Sequence, residues 1–299
     1  MRLSRTATPL LFLIPTLLML TVFVLFPIVN TIYLSLVDKQ GEFVGLGNYE
    51  QIFNDDAFWN PQNLAEGNPP PYGALIHNGI WILVHLPLSI FSGLLLAVLL
   101  RDVKGGAIIK SIVFLGMVIP LIVGGILLRF IYVEDAGIVN GFLRTVGLGS
   151  LARTWTAYPE TILLALIFGT VWIWTGFSMI VYSAGLEGIP TELFEAARID
   201  GASSWRTFWR ITIPMLKPAT IVVVTMTVLW ELKIFDIVWI IQQGGPQNAS
   251  MVMTLLMFLQ AFLYQRQAQN YHTASAIATM LTLLTIGFAA YMVYRMVKS

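Results

Sequence analysis

The sequence predicts an all-α membrane protein with six transmembrane helices, and three observations carry that prediction. Its 299 residues are 57% hydrophobic and only 11% charged, well below the roughly 25% charged content of a soluble domain. Runs free of Asp, Glu, Lys and Arg recur along it at or above the roughly 18 to 20 residues that cross a hydrocarbon core. These runs are continuously apolar, whereas a membrane β-barrel would show segments of about ten residues with alternating polarity, so the backbone must be satisfied inside helices.

The first run, Pro9 to Leu36, is far longer than the roughly 7 to 15 apolar residues of a cleavable signal peptide, and it is read as an uncleaved first helix. Asp38 to Pro71 follows, glycine-rich and ending in three consecutive prolines, which reads as a loop with one short lateral helix. Leu75 to Leu100 and Ser111 to Leu128 are the second and third spans. Between Val133 and Glu160 the chain carries amphipathic pieces suited to lying along the interface. Thr161 to Leu186 is the fourth span and Thr273 to Tyr294 the last. The fifth candidate, Ala219 to Ile241, is interrupted by Glu231, Lys233 and Asp236 but is otherwise too apolar for a surface loop.

Six spans place both termini on one side, and basic residues choose which. Arg2, Arg5, Arg101, Lys104, Lys110, Arg198, Arg206, Arg210, Lys217, Arg295 and Lys298 fall on one side, against Lys39, Arg129, Arg144, Arg153 and Arg266 on the other. Both termini are therefore expected in the cytoplasm. A net charge of +1 gives no basis for nucleic acid as a partner. The absence of cysteine removes thiol catalysis and Cys-ligated metals. His77, His85 and His272 are scattered without an HExxH pattern, so no metal site is expected.

The passage "ELFEAARIDGASSWRTFWRITIPMLKP", Glu192 to Pro218, holds four basic and three acidic residues between two apolar spans. Thr191 is a candidate N-cap for a short helix with acidic residues in its first turn. Gly201 ends that helix, because the left-handed conformation after a helix costs glycine nothing. Ser203 or Ser204 can cap a second helix that Pro214 leads back to the membrane. An amphipathic segment resting on the inner leaflet is the plain reading.

The spacing Glu195-Ala196-Ala197, three residues, Gly201, nine residues, Ile211, one residue, Ile213-Pro214 resembles the EAA loop of the membrane subunits of ABC importers, with Ile213 in place of a leucine. "FVGLGNYEQIF", "FLGMVIPLIVGGILLRFIY", "GIVNGFL", "IPTELFEAARIDGA" and "QGGP" extend the likeness to sugar permeases related to the maltose, glycerol-phosphate and lactose-type members. The resemblance implies a type I ABC importer permease fold and a single permease domain over 1–299, with a first helix and extracytoplasmic loop over 1–70 and a five-helix core over 71–296 that carries the cytoplasmic loop 190–218. It implies coupling to an ATPase through Glu195, Ala196, Ala197, Asp200 and Gly201. The partners it implies are a second six-helix permease, two ATP-binding cassette subunits and an extracytoplasmic sugar-binding protein. This chain has no GxxxxGK[ST] loop, so ATP and its magnesium are expected on the partner subunits and no cofactor on this one.

By the family pattern, substrate contacts fall on Trp172, Thr175, Gly176 and Met179 of the fourth span and on Thr227, Trp230, Glu231 and Ile234 of the fifth. Charges inside a span cost about 2.5 to 3.5 kcal/mol each on insertion scales and are functional candidates by default. At 100° per residue Lys233 and Asp236 face each other and are expected to form a structural ion pair. Glu231 projects from the opposite face, where a sugar's hydroxyls can reach it. Two rival readings stand beside this one: a membrane enzyme, for which no catalytic constellation is present, and an ion-coupled secondary transporter, which would use Glu231 and Asp236 as a proton relay.

Overall fold

The computed structural model describes residues 7–263 and 270–298, with side chains from residue 12 onward. Arg2, Arg5 and Arg266, which entered the charge count, lie outside them. All regular elements among the described residues are helical: α1 (Ala7–Leu20), α2 (Phe26–Ser35), α3 (Gly47–Phe53), α4 (Pro61–Ala65), α5 (Ala74–Leu99), α6 (Gly106–Val118), α7 (Leu121–Tyr132), α8 (Ile138–Thr145), α9 (Pro159–Glu187), α10 (Thr191–Ile199), α11 (Ser204–Thr207), α12 (Ile213–Met215), α13 (Lys217–Leu232), α14 (Asp236–Gln242), α15 (Met253–Phe258) and α16 (Tyr271–Val297).

Among the described residues four helices are long and apolar enough to cross a membrane, or five if α6 and α7 count as one span. The third run, expected as one spanning helix, breaks at Ile119-Pro120 and turns by 102°. The fifth is also broken, because α13 stops at Leu232 and α14 starts at Asp236. Two π-helical turns, Thr21–Leu25 and Phe208–Thr212, precede Pro27 and Pro214. In each, the carbonyl four residues before the proline has lost its N–H partner, and the wider turn absorbs the ring.

The chain divides into two compact units, residues 1–55 with 256–283, and 56–255 with 284–299. In the first, the side chains of residues 12–30 are all exposed and mostly apolar, the composition of a helix solvated by lipid. The C-terminal end of α2 is tied by polar contacts. Asn48 Nδ2 donates to the carbonyls of Ser35 and Val37, both at 2.9 Å, and His272 Nδ1 donates to the Leu34 carbonyl at 3.1 Å. Where one short helix was expected after Asp38, two are present, α3 and α4.

The second unit is built on α5 against α9. Their contact depends on small residues, since a Cβ on Gly93 would lie 2.3 Å from the Ser178 Cβ. In a bilayer, where hydrophobicity does not hold helices together, such close approach supplies the packing energy. α6 crosses α9 the same way, with Gly176 set against the backbone of Val113 and Phe114. Met179, Tyr182 and Leu186 of α9 bury with Ala97 of α5 and Val223 of α13 to form the core.

Candidate functional site

The two breaks, between α6 and α7 and between α13 and α14, line one cavity. Met117 and Leu121 flank the first break, Trp230, Lys233 and Ile234 the second, and Ile173 and Trp174 of α9 complete a volume of about 300 Å3. Broken helices are a costly way to build a span, because each break frees backbone groups in a region without water. At the second break side chains reach two of the freed carbonyls. Asn78 of α5 donates from Nδ2 to the Glu231 carbonyl at 3.1 Å and accepts at Oδ1 from the Met253 N–H at 2.9 Å, while the Thr254 hydroxyl donates to the Ile234 carbonyl. His77 donates from Nδ1 to the Met251 carbonyl at 2.8 Å and accepts at Nε2 from the Tyr72 N–H at 3.0 Å. Asn78→Ala is therefore expected to strand the buried Met253 N–H, worth about 1 to 3 kcal/mol, and to take one donor from the Glu231 carbonyl, which keeps the Ile234 N–H at 3.4 Å. Its thermal midpoint in detergent should fall while Asn78→Asp, which keeps only the acceptor, falls between it and wild type.

Glu231 does not open freely onto this cavity. It is 1% exposed, and its Oε1 lies 2.6 Å from Nδ1 of the equally buried His85. The sequence reading left it without a partner and missed His85, which comes from α5. Trp174 covers the pair, with its ring edge-on to His85 at 5.4 Å and to Trp230 at 6.2 Å. Four buried polar atoms around this point have no protein partner: Glu231 Oε2, His85 Nε2, Trp174 Nε1 and Thr227 Oγ1. Trp174 thus stands between the cavity and this buried polar cluster.

The other expected contacts separate. Trp230 and Ile234 line the cavity. Thr227 is fully buried. Thr175 is buried and bonded to Ser92 Oγ at 2.6 Å and to the Val171 carbonyl. Gly176 is a helix contact, Met179 is core, and Trp172 lies over Gly116. The expected Lys233–Asp236 pair is not made among the described residues, where His85–Glu231 and Arg153–Glu160 are ion pairs. The 100° rule assumed one continuous helix, whereas Lys233 caps α13 and Asp236 opens α14. Lys233 faces the cavity instead.

At the loop, α10 is capped by Pro190 with no side-chain bond, and Thr191 is the first helical residue rather than the cap. Its other end follows the expectation. Gly201 adopts φ +69, its N–H bonds the Arg198 carbonyl, and the Ala202 N–H bonds the Ala197 carbonyl at 2.9 Å, the paired bonds of a Schellman closure. Ser203 caps α11 through the Arg206 N–H. Ala197 is buried, and Arg101 at the end of α5 stacks on Phe194 at 4.9 Å. Glu195, Ala196, Asp200 and Gly201 stay exposed, as do Ile199 at 87% and Trp205 at 70%.

A bundle with broken spans around a cavity and a polar loop presented outside it has the form of a transporter's membrane subunit. The chain belongs to the family described as binding-protein-dependent transport system inner membrane component, whose model matches residues 87–299. A probable ABC transporter permease protein of Pyrococcus horikoshii is 48% identical over 295 residues, covering 97% of this chain and 99% of that one. The alpha-glucoside transport system permease protein of Rhizobium meliloti is 34% identical, over 96% of this chain and 81% of its own. In the crystal structure of a bacterial alginate ABC transporter in complex with an alginate pentasaccharide-bound periplasmic protein, one chain shares the fold at a TM-score of 0.76 and 21% identity, over 96% of this chain and 93% of that one.

Proposed function

We propose that this chain forms one half of the translocation path of an ATP-driven importer that takes a sugar from an extracytoplasmic binding protein, and that the cavity between the two helix breaks is where the sugar passes. The observation that carries the reading is the pairing of the indoles of Trp174 and Trp230 with the Lys233 ammonium around that cavity. A pyranose offers apolar C–H faces to indoles and a rim of hydroxyls to donors. The orphaned atoms of Glu231, His85, Trp174 and Thr227 extend this polar rim once Trp174 shifts. The alpha-glucoside assignment of a 34% identical relative supports carbohydrate as the substrate class.

In this reading six spans cross the membrane: α1 with α2, α5, α6 with α7, α9, α13 with α14, and α16, with both termini cytoplasmic. A second permease closes the path, and two ATP-binding cassette subunits supply the work. Glu195, Ala196, Ala197, Asp200 and Gly201 present α10 to them as a rigid handle. ATP closes the cassettes, and moving a docked helix shifts the bundle between inward-open and outward-open arrangements.

Trp230→Ala is the test of the path. In the assembled complex in liposomes, uptake at low sugar concentration is expected to drop about ten-fold, equivalent to about 1.4 kcal/mol, with normal yield of complex. Unchanged uptake would take the cavity out of the path. The ion-coupled rival requires uptake by the permeases alone, so transport in liposomes lacking the cassettes would decide for it.

A further inference from the structure

We propose that the cleft between the end of α5 and the loop carrying α10 and α11 binds the phosphodiester headgroup of a membrane lipid. The cleft encloses about 400 Å3 and lies apart from the sugar cavity. Its apolar lining joins the ends of membrane helices, Val98 of α5 and Leu186 of α9, to Phe194, Ala202 and Phe208 of the loop, beside charged and hydroxyl groups. A molecule with an apolar body and a charged head meets both kinds of lining there.

The charged lining consists of Arg101, Arg198 and Asp102. Neither arginine pairs with a carboxylate of this chain among the described residues, and the Phe194 ring holds the Arg101 guanidinium in place. A guanidinium fork matches two phosphate oxygens, and the Ser204 and Thr207 hydroxyls in the same lining add donors. Asp102 opposes a doubly charged free phosphate more than a singly charged diester. Depth points the same way. Arg101 stands two residues beyond Leu99, the last residue of a 26-residue apolar helix, and so at the boundary where headgroups lie. Trp205 and Trp209 of the same loop are exposed, as indoles at headgroup depth are.

The probe is the lipid that the protein itself retains. The complete transporter is extracted in mild detergent, washed, and its bound phospholipid counted by native mass spectrometry for wild type, for Arg101→Gln with Arg198→Gln, and for Arg101→Lys with Arg198→Lys. The glutamine pair is expected to retain about one phospholipid fewer per copy of this chain. The lysine pair, which keeps charge and loses the fork, should release that lipid at a lower detergent wash than wild type, and it tests the idea even if the glutamine pair fails to assemble. Excess inorganic phosphate should not displace it. Equal retention in all three proteins overturns the proposal. Displacement by inorganic phosphate makes the cleft a free-anion site and also overturns it, as does loss of the cassettes with phospholipid unchanged, which would give the arginines to a carboxylate of the motor.

Discussion

His85→Leu is expected to remove most of the folded protein recovered from membranes. The substitution leaves the Glu231 carboxyl buried without the group 2.6 Å from its Oε1, and breaking a buried pair from one side costs about 3 to 5 kcal/mol, a large share of the 5 to 15 kcal/mol that typically holds a domain together. Glu231→Gln should be far milder, because the amide oxygen still accepts from His85 Nδ1. Combining His85→Leu with Glu231→Met removes both polar groups, and when both partners become apolar groups of similar shape the cost can approach zero. The double variant should therefore recover much of the lost yield. If the two single effects merely add, the pair is not energetically coupled, and Glu231 returns to the role first expected of it, a group held for substrate. Yield and uptake per intact complex separate these outcomes, since a purely structural role leaves uptake per complex unchanged.

How this pair escaped the sequence shows where one-dimensional reading stops. The first, second, fourth and last spans were legible because burial in lipid demands an unbroken apolar composition that any window along the chain reveals. The closure of α10 was legible because a Schellman turn is settled by a few neighbouring residues, Gly201 above all. The Thr191 cap failed by one position, with Pro190 taking the place before the helix. The His85–Glu231 contact joins residues 146 apart, and no local pattern encodes which faces of α5 and α13 meet. Two signals were nonetheless present. His77, Asn78 and His85 are polar residues inside an otherwise apolar span, and in a bilayer such residues almost always meet a partner or a water-filled space. Lys233 and Asp236 were assigned to each other because helical geometry was extended across residues where the helix ends. The cavity itself follows from those ends, since the breaks that defeated the pairing rule are what line it.

Gly201→Val should uncouple the proposed motor from the path while leaving the bundle intact. The residue adopts φ +69, and a β-branched side chain there meets its own backbone, at a cost of roughly 1 to 2 kcal/mol for the left-handed conformation alone. No neighbour is responsible, because a Cβ at this position would touch nothing within 4 Å. The strain therefore acts on the turn, opening the bonds from the Gly201 and Ala202 N–H groups that set the angle between α10 and α11. Glu195 and Asp200, both exposed on this handle, would then be offered to the cassettes in the wrong orientation. Stimulation of ATPase activity by sugar-loaded binding protein should fall at least about ten-fold, since the loss of roughly 1.4 kcal/mol in a coupling equilibrium is a factor of ten. Gly201→Asn is the control, because asparagine tolerates the left-handed region better than other side chains, and it should keep most of the stimulation. A valine variant that is assembled, thermally unchanged and fully stimulated would mean that the handle does not transmit force through this turn, and the coupling role assigned to Glu195, Ala196, Ala197, Asp200 and Gly201 would have to be given up.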